Sequence, residues 1–322
     1  MGAGLIGRKR AMVLESFGAD KVIAVADVNL TRAKKLADEI DGCEATSSWK
    51  EIANHKQIDT VVVATTHNNL ATISLAALSA GKHVLCEKPL GIKSAMVAKC
   101  VKMARKKKLM YKVGFNHRFH PGIAMAHDMF VAGKIGKLMY IKAAYGIGGR
   151  PGYEKEWRMD KEVSGGGELI DQGAHLIDLS RWFMGEITSV KAELLTSFWP
   201  VKVEDNVFLL LRNRSGLAEI HASWTEWKNR FTFEIYGVKG YLKINGLGGS
   251  YGPEVLTFGR RVPGQAPLEK FWKFEDPDQS WRKEWLNFRQ AILRGKDLNG
   301  SGVDGLEVLR LIEKIYKQKK TK

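Results

Sequence analysis

The chain has 322 residues, of which 44% are hydrophobic and 27% charged, and its 51 Lys and Arg outnumber its 35 Asp and Glu. Two domains are the default at this length, and no apolar run is long enough for a membrane span or a signal-peptide core. We therefore expect a cytoplasmic protein with no membrane partner. The net charge of +16 suits the steering of anionic small molecules toward a cleft. No nucleic-acid partner is expected, because no nucleic-acid motif accompanies the basic runs.

The first part of the chain alternates between predicted helices and short apolar strands. One helix follows the opening glycines and reaches Phe17. Further helices are predicted at 30–39, 70–80 and 93–107, and strands at 21–27, 60–64, 83–86 and 109–115. Continuous apolar strands separated by helices are typical of a parallel sheet, so the predicted fold class is α/β.

The pattern changes after residue 121. A helix at 122–132 precedes stretches of alternating polarity at 138–144, 188–195, 207–211, 218–224, 231–236 and 241–244. These stretches predict a large, mostly antiparallel open sheet with one face half exposed. Two amphipathic helices, at 281–293 and 304–316, close the chain. We therefore predict two domains, a parallel-sheet domain over 1–118 and an α+β domain over 119–322.

The cysteines indicate neither a disulfide framework nor a metal site. Cys43, Cys86 and Cys100 show no C-x-x-C spacing, and no histidine lies near them at the spacing of a ligand. We accordingly predict that the protein holds no metal.

The opening glycines have the spacing of a dinucleotide-binding turn. Gly2, Gly4 and Gly7 form a G-x-G-x-x-G pattern, and Asp27 ends the next predicted strand. The glycines permit a tight turn beside a pyrophosphate, and an acid at this distance accepts hydrogen bonds from ribose hydroxyls. Residues 1–118 are therefore expected to bind NAD. NADP is less favoured because Asp27 would repel a 2′-phosphate, although Arg32, one turn into the following helix, could swing toward it.

Polar residues follow three of the predicted parallel strands, at 65–69, 87–88 and 116–118. In open α/β sheets the ligand lies over the carboxyl ends of the strands, so these segments are expected to converge on the cofactor. The predicted cofactor-binding residues are Gly2, Gly4, Leu5, Ile6, Gly7, Asp27, Arg32, Thr65, Thr66, Asn68, Asn69, Glu87, Lys88 and Asn116.

The segment 164–182 opens with three glycines, and from Glu168 onward its pattern predicts a largely buried helix. Asp171, His175, Asp178 and Trp182 fall on one narrow stripe of that helix. Unpaired buried charge is costly, so the stripe must face a partner, a cavity or a ligand. The alternative interpretation is that Asp171 and His175 are core polar residues whose polar groups are satisfied inside the protein.

Across nearly its whole length the chain resembles the glucose-fructose oxidoreductase / inositol dehydrogenase (Gfo/Idh/MocA) family. The resemblance is carried by GAGLIG at the start, Asp27, CEKPL around Lys88, GFNHRF at 114–119 and GGGELIDQGAHLID before and within the predicted helix. It implies a Rossmann domain followed by an α/β domain whose open sheet often mediates oligomers. A homo-oligomer, dimer or tetramer, is therefore expected through the C-terminal sheet.

The resemblance also implies that Lys88, Asp171 and His175 form the catalytic set beside the nicotinamide, with Pro89 in a cis-proline turn. Removing a hydroxyl proton while hydride leaves for the nicotinamide requires a base, and His175 fits that role best. Asp171 can orient the substrate or the imidazole. Lys88 can hydrogen-bond the reacting oxygen and shelter its developing negative charge.

The substrate is predicted from the segment before the catalytic helix. Arg150, Tyr153, Trp157 and Arg158, together with Arg118, are the candidate substrate-binding residues. Arg suits phosphate or carboxylate, and the segment looks like that of family members near polysaccharide and nucleotide-sugar pathways. We predict oxidation of a secondary alcohol of a sugar, and the first candidate is a nucleotide sugar, which is an anionic substrate. The alternatives are an inositol or free-sugar dehydrogenase, and packing of Trp157 and Arg158 at the domain interface.

A Rossmann domain has a strand before its first glycine turn, and here Met1 stands one residue before that turn. The sequence therefore predicts a first strand that is missing or truncated, and roughly six to ten more residues upstream, rich in Val and Ile. The loss would remove several buried apolar side chains, at ~1.5–3 kcal/mol each. A cofactor-binding protein that is inactive because of this truncation is a further alternative, as is a nucleic-acid binder on charge alone.

Overall fold

A computed structural model describes residues 1–319, and the chain divides into two compact units. The first unit comprises residues 1–115, 162–165 and 281–310. The second comprises residues 116–161, 166–280 and the described chain from 311 onward. Within residues 1–319, no helix is both long and apolar enough to cross a membrane.

The elements follow the chain in a helix-strand alternation that gives way to a run of strands. The helices of the described chain are α1 (Leu5–Glu15), α2 (Leu30–Ala37), α3 (Trp49–Asn54), α4 (His67–Ser79), α5 (Ser94–Lys107), α6 (Pro121–Val131), α7 (Lys161–Ser164), α8 (Gly173–Met184), α9 (Ser280–Arg294) and α10 (Gly302–Lys319). The strands are β1 (Ala24–Ala26), β2 (Glu44–Thr46), β3 (Thr60–Val63), β4 (His83–Glu87), β5 (Tyr111–Gly114), β6 (Leu138–Gly146), β7 (Ser189–Leu195), β8 (Asn206–Arg212), β9 (Leu217–Ser223), β10 (Arg230–Gly237), β11 (Gly240–Asn245), β12 (Glu254–Arg260) and β13 (Leu268–Phe274).

The first unit holds the predicted parallel strands, but in two separate sheets. One has the order β1-β2 and the other β3-β4-β5, and all neighbouring strands run parallel. Met1 and Gly2 touch both sheets. The Met1 amino group donates to Val62 O at 2.8 Å, and Gly2 N donates to Ala26 O at 2.7 Å.

A cavity of about 460 Å³ continues from Met1 into the space between the two sheets. Its lining includes Val25 of β1, Val62 of β3, Leu14 of α1 and Trp285 of α9. A strand at that position would pair with β1 on one side and with β3 on the other. Among residues 1–319, no strand pairs with both β1 and β3.

The short elements β2 and α3 of the first unit were not predicted. The strand β2 has only three residues, Glu44–Thr46, which are half-buried or exposed and carry no apolar run. The helix α3 is six residues long and buries only Ile52 and Ala53. Both are too short to produce a periodic signal, and they form because β1 and α4 offer them a surface to pack on.

The second unit is built on one eight-stranded sheet with the order β13-β12-β11-β10-β6-β9-β8-β7. The strands β6 and β9 run parallel, and the other neighbours run antiparallel. The sequence thus predicted the large, mostly antiparallel sheet correctly. It missed β12 and β13 at one edge, where β13 is largely exposed on both faces and shows no polar-apolar alternation.

The two faces of this sheet differ in burial. One face packs on α6 and α8 and carries a cross-strand row of buried side chains that includes Leu209, Ile220 and Phe233. On the opposite face Phe208, Leu210 and Phe271 are each more than two-fifths exposed. The predicted half-exposed open face is therefore present.

The helix that carries His175 starts later than predicted, at Gly173 rather than at Glu168. Residues 165–172 form bends and turns instead. The reason is that the buried Glu204 takes the main-chain donors that precede the helix: Gly167 N and Leu169 N donate to its Oε1, at 3.0 and 3.2 Å. Asp171 therefore lies in the turn before α8 and not on its surface.

Candidate active site

The glycine turn of the first unit closes tightly around its own main chain. A Cβ on Gly7 would lie 1.7 Å from Gly2 O, so no larger residue fits. By contrast, a Cβ on Gly4 would have no neighbour within 4 Å. Gly4 caps the N-terminus of α1, which begins with the exposed Leu5. This open space at a helix N-terminus, with unpaired main-chain donors, is suited to a diphosphate.

Asp27 is held beside that turn by main-chain hydrogen bonds. Ala3 N donates to its Oδ2 at 2.8 Å, and Asn29 N donates to its Oδ1 at 2.9 Å. The carboxylate is 8% exposed and retains lone pairs for further donors. Arg32 lies 3.6 Å away with its side chain 53% exposed, and Val28 next in sequence is 91% exposed. An exposed apolar side chain beside a fixed acid suits an adenosine, so the residues present fit NAD.

The turn after β3 is organised by its own side chains. Thr66 Oγ1 donates to Asn68 Oδ1 at 2.9 Å, and Asn69 Nδ2 donates to Thr66 Oγ1 at 3.1 Å. Thr65 Oγ1 donates to the carbonyl of Thr66. The structure thus gathers the four polar residues that were predicted there, with their hydroxyl and amide groups at the N-terminus of α4.

The turn after β4 carries Lys88, whose peptide bond to Pro89 is cis, as the family resemblance implied. Leu90 N donates to Glu87 O at 3.1 Å and closes this turn. The Glu87 side chain accepts from Arg10 Nε at 2.8 Å. Lys88 itself is half-buried. Asn116, predicted with this group, belongs to the second unit, where its amide donates to Ser280 Oγ at 3.0 Å.

His175 lies in the second unit, 6% exposed, in the first turn of α8. Its ring stacks on that of His117, with the centroids 3.9 Å apart and the planes at 24°. Asp171, one turn earlier in sequence, accepts from Arg158 Nε at 3.2 Å. Asp171 thus bonds an arginine within the second unit, and His175 stacks on another ring.

Glu204 and Tyr316 fix the turn that leads to these residues. Tyr316 Oη donates to Glu204 Oε1 at 2.6 Å, and Glu168 N donates to Glu204 O at 2.9 Å. A Cβ on Gly167 would lie 2.1 Å from Glu204 O, so the glycine is required for this close approach. The last glycine of the GGG segment, Gly167, thus lets the main chain pack against Glu204, and this contact fixes the start of the turn that contains Asp171.

Several polar groups near Asp171 and His175 were missed by the sequence reasoning. Tyr145 is the penultimate residue of β6, and its ring centroid lies 6.2 Å from that of His175 and 5.5 Å from that of Tyr251. Burial raises the pKa of Tyr145, and it raises the pKa of Tyr251 to about 12, so both phenols are protonated donors at neutral pH. With its amide nitrogen turned toward Glu168, Gln172 donates to Glu168 Oε1 at 2.7 Å. Tyr145 and Tyr251 lie far from residue 171 in sequence, so no local motif announces them.

The arginines predicted to bind substrate are each engaged by a carboxylate. Arg118 is 5% exposed and donates to both oxygens of Asp178, at 2.9 and 2.6 Å. Arg158 bridges Asp171 and Glu156, and Arg150 pairs with the same Glu156.

The two aromatic residues predicted with the arginines are also engaged. Tyr153 is 3% exposed and packs edge-to-face on Trp199 and Trp224. It therefore serves as a buried packing contact for the segment that contains Trp157 and Arg158. The Arg158 guanidinium lies over the Trp157 ring, with its carbon 4.7 Å from the ring centroid.

Both units match known families. Residues 1–115 match the oxidoreductase family with an NAD-binding Rossmann fold, and residues 123–243 match the GFO/IDH/MocA C-terminal domain. The two matches together span well over half of the chain. The protein therefore belongs to the Gfo/Idh/MocA oxidoreductases, as the motifs implied, and its first unit is their NAD-binding Rossmann domain.

Individual relatives are more distant. The chain is 30% identical over 255 residues to levoglucosan dehydrogenase of Pseudarthrobacter phenanthrenivorans, a match that covers 70% of this chain and 64% of that protein. It is 28% identical to 1,5-anhydro-D-fructose reductase of Ensifer adhaerens, over 95% of this chain and 91% of that one. A solved structure of levoglucosan dehydrogenase in complex with NADH has the same fold, with a TM-score of 0.88 at 24% identity over 98% of this chain and 94% of that one.

Proposed function

We propose that the protein is an NAD-dependent dehydrogenase that oxidises one secondary alcohol of a sugar or related polyol. The observation that carries the proposal is the polar cluster around the start of α8. There the ring of the buried His175 lies beside that of Tyr145, and Tyr145 lies beside Tyr251. Asp171, in the turn before the helix, accepts a hydrogen bond from Arg158. Such a set combines a base with several hydroxyl-binding groups. The hydride acceptor is the NAD that the first domain of the same chain binds.

In this proposal His175 is the general base. An imidazole changes its protonation near neutral pH and can take the hydroxyl proton as the hydride leaves. Stacking on His117 fixes the plane of the His175 ring.

Asp171 and Lys88 have distinct roles in the proposal. Asp171, held by Arg158, orients the substrate or the imidazole. Lys88 donates to the reacting oxygen and stabilises its developing negative charge. NAD, when bound, accepts the hydride at its nicotinamide ring.

The charges near Asp171 favour an uncharged substrate over a nucleotide sugar. Arg118, Arg150 and Arg158, the side chains that suit a phosphate, are all paired with carboxylates of the second unit. A phosphate would have to displace Asp178, Glu156 or Asp171 to gain a bidentate arginine. The relatives named for levoglucosan and 1,5-anhydro-D-fructose are consistent with a neutral ring. The nucleotide sugar remains the second candidate, because Arg150 is 68% exposed and could exchange its partner.

A substrate panel tests this proposal. The purified protein with NAD is offered neutral anhydrosugars, free hexoses, inositols and several nucleotide sugars, and NADH formation is followed by absorbance. We expect turnover with a member of the neutral group and none with the nucleotide sugars. Turnover confined to a nucleotide sugar would establish the second candidate. NADH binding without turnover on any compound would contradict the dehydrogenase assignment.

We also propose that the protein forms a homo-oligomer through the half-exposed face of the eight-stranded sheet. The exposed Phe208, Leu210 and Phe271 lie on that face, where water contact is unfavourable. Light scattering on the eluted protein measures the assembly. Replacing Phe208 and Leu210 by Ser and Thr should shift the mass toward that of a single chain, and an unchanged mass would contradict the proposed interface.

A further inference from the structure

A buried cluster of charges in the first unit joins the nucleotide-binding helix to the turn that carries Lys88. Arg10, on α1, is 2% exposed and donates from NH1 to Glu284 Oε2 of α9 at 2.5 Å. Its Nε and NH2 both contact Glu87 Oε1, at 2.8 and 2.6 Å. The Glu284 side chain is fully buried, and that of Glu87 is 13% exposed.

This cluster is a costly way to hold three elements together. Removing several charges from water is expensive, and apolar side chains of similar volume often stabilise a core equally well. The guanidinium is further shielded by the ring of Trp281, 4.3 Å from its carbon. Stability alone therefore does not account for charges at these positions, and their geometry points to a positioning role.

The geometry connects Arg10 to Lys88 through one residue. Glu87 is the last residue of β4, and its carbonyl closes the Lys88 turn by accepting from Leu90 N at 3.1 Å. Its Oε1 accepts a hydrogen bond from Arg10 Nε and forms an ion pair with Arg10 NH2. Glu87 is thus fixed at both its main chain and its side chain. Its position in turn determines the position of the turn that contains Lys88.

We propose that Arg10 is a positioning residue for Lys88. It acts through Glu87, and its hydrogen bond to Glu284 holds its guanidinium in place. The inference rests on the proposed role of Lys88 at the reacting oxygen. The planar fork of Arg10 reaches both carboxylates at once, which the single ammonium of a lysine cannot do with the same geometry. One side chain of the nucleotide-binding helix thereby sets the turn that carries the proposed oxyanion partner.

The test compares Arg10→Lys with Arg289→Lys. Arg289, on α9 of the same unit, donates to Asp20 at 2.9 Å and is 31% exposed, so it offers the same chemical change at a pair that does not touch Glu87. We expect Arg10→Lys to lower kcat by ~10- to 100-fold, the size expected from displacing a reacting group by about 1 Å, with KM for the sugar within about two-fold. Arg289→Lys should leave kcat unchanged. Glu284→Gln, which keeps the volume, should behave as Arg10→Lys does.

A second readout does not depend on turnover. The rate at which an amine-directed acylating reagent modifies Lys88 is followed by peptide mass spectrometry, with the exposed Lys137 as internal standard. We expect the Lys88 rate to change severalfold in Arg10→Lys and in Glu284→Gln, while the Lys137 rate and cooperative melting are retained. Wild-type kcat together with a wild-type Lys88 rate in a folded variant would overturn the inference. Altered labelling in a protein that oxidises no sugar would instead refute the proposed function and leave the positioning role standing.

Discussion

At the scale of single residues, His175 combines burial with a fixed ring plane. Because His117 covers one face of the His175 ring, we expect the reaction at the edge of that ring, and Tyr145 lies beside it. Replacing His175 by Ala should lower kcat by ~10²-fold or more, the usual effect of losing a general base. The rate of NADH formation measures this. His127→Ala is a suitable control, since that ring also stacks, but on Trp182 at the far end of α8. Equal rates in wild type and His175→Ala would remove His175 from the mechanism.

Asp27 determines the expected choice of cofactor. Both of its oxygens already accept main-chain donors, so the carboxylate is fixed where a 2′-phosphate would meet it. We expect a higher kcat/KM for NAD than for NADP, and a smaller preference in Asp27→Asn because the repulsion is then lost. Initial rates with both cofactors decide the matter. Comparable values for the wild type would mean that Arg32, 3.6 Å from Asp27, turns to the phosphate instead.

The sequence located residues whose roles depend on local spacing, and it could not locate their partners. Gly7, Asp27 and the cis Lys88–Pro89 turn follow from motifs with fixed offsets, and the structure places them as those motifs imply. Arg118 is different, because its partner Asp178 lies 60 positions away along the chain. Nothing local to an arginine tells whether it awaits a phosphate or already holds a carboxylate.

At the scale of elements, the same limit explains the helix α8. Its apolar periodicity predicted the helix but placed its start at Glu168, five residues early. The helix starts later because Glu204, which follows β7 in the chain, accepts hydrogen bonds from the main-chain N–H groups of Gly167 and Leu169. Periodicity describes which face a helix buries and carries no information on an acceptor that lies in a distant loop, here the one between β7 and β8.

Asp205, beside Glu204, ties the segment between β7 and β8 together and predicts a pH dependence. Burial alone would raise the pKa of this carboxyl, but hydrogen bonds from Phe198 N, Ser197 N and Trp199 N outweigh burial and lower it below its usual 3.8. A depressed pKa contributes stability above the unfolded value, and that contribution disappears as the pH falls through the folded value. Asp205→Asn should therefore lower the free energy of unfolding at pH 6 and approach the wild type toward pH 3. Urea unfolding across this range measures the difference, and a gap that stays constant with pH would refute it.

The space between β1 and β3 makes a prediction about the first sheet. The cavity there is about 460 Å³, and burial lowers the pKa of the Met1 amino group beside it to about 6. Fusing six residues rich in Val and Ile ahead of Met1 replaces that ammonium with an amide and supplies a strand to pair with both sheets. Two buried side chains would contribute ~3–6 kcal/mol. At ~2–4 °C for each kcal/mol, Tm should rise by ~6 °C or more.

A matched fusion checks that the added residues act as a strand. An extension of the same length with two prolines lacks the donors that the strand edges of the cavity require. Calorimetry should show a raised Tm for the Val- and Ile-rich fusion only. Equal Tm values for both fusions would mean that the cavity does not accept a strand.

At the scale of the whole molecule, the net charge of +16 acts on approach to the site and not on the chemistry within it. Neutral substrates experience no such steering, and salt screens it for charged ones. The paired arginines of the second unit and the net positive charge of the chain thus affect different steps. The first group bears on which substrate binds, and the second on how fast an anion arrives.

The central claim is hydride transfer from a sugar carbon to NAD, and the most direct measurement follows that hydride. The neutral sugar that the panel identifies is prepared with deuterium on the carbon to be oxidised, and the mass of the reduced cofactor is measured after turnover. We predict that the NADH formed carries one deuterium and that His175→Ala forms it at least ~10²-fold more slowly. Reduced cofactor without deuterium, or no reduced cofactor from any sugar while NADH still binds, would contradict the account.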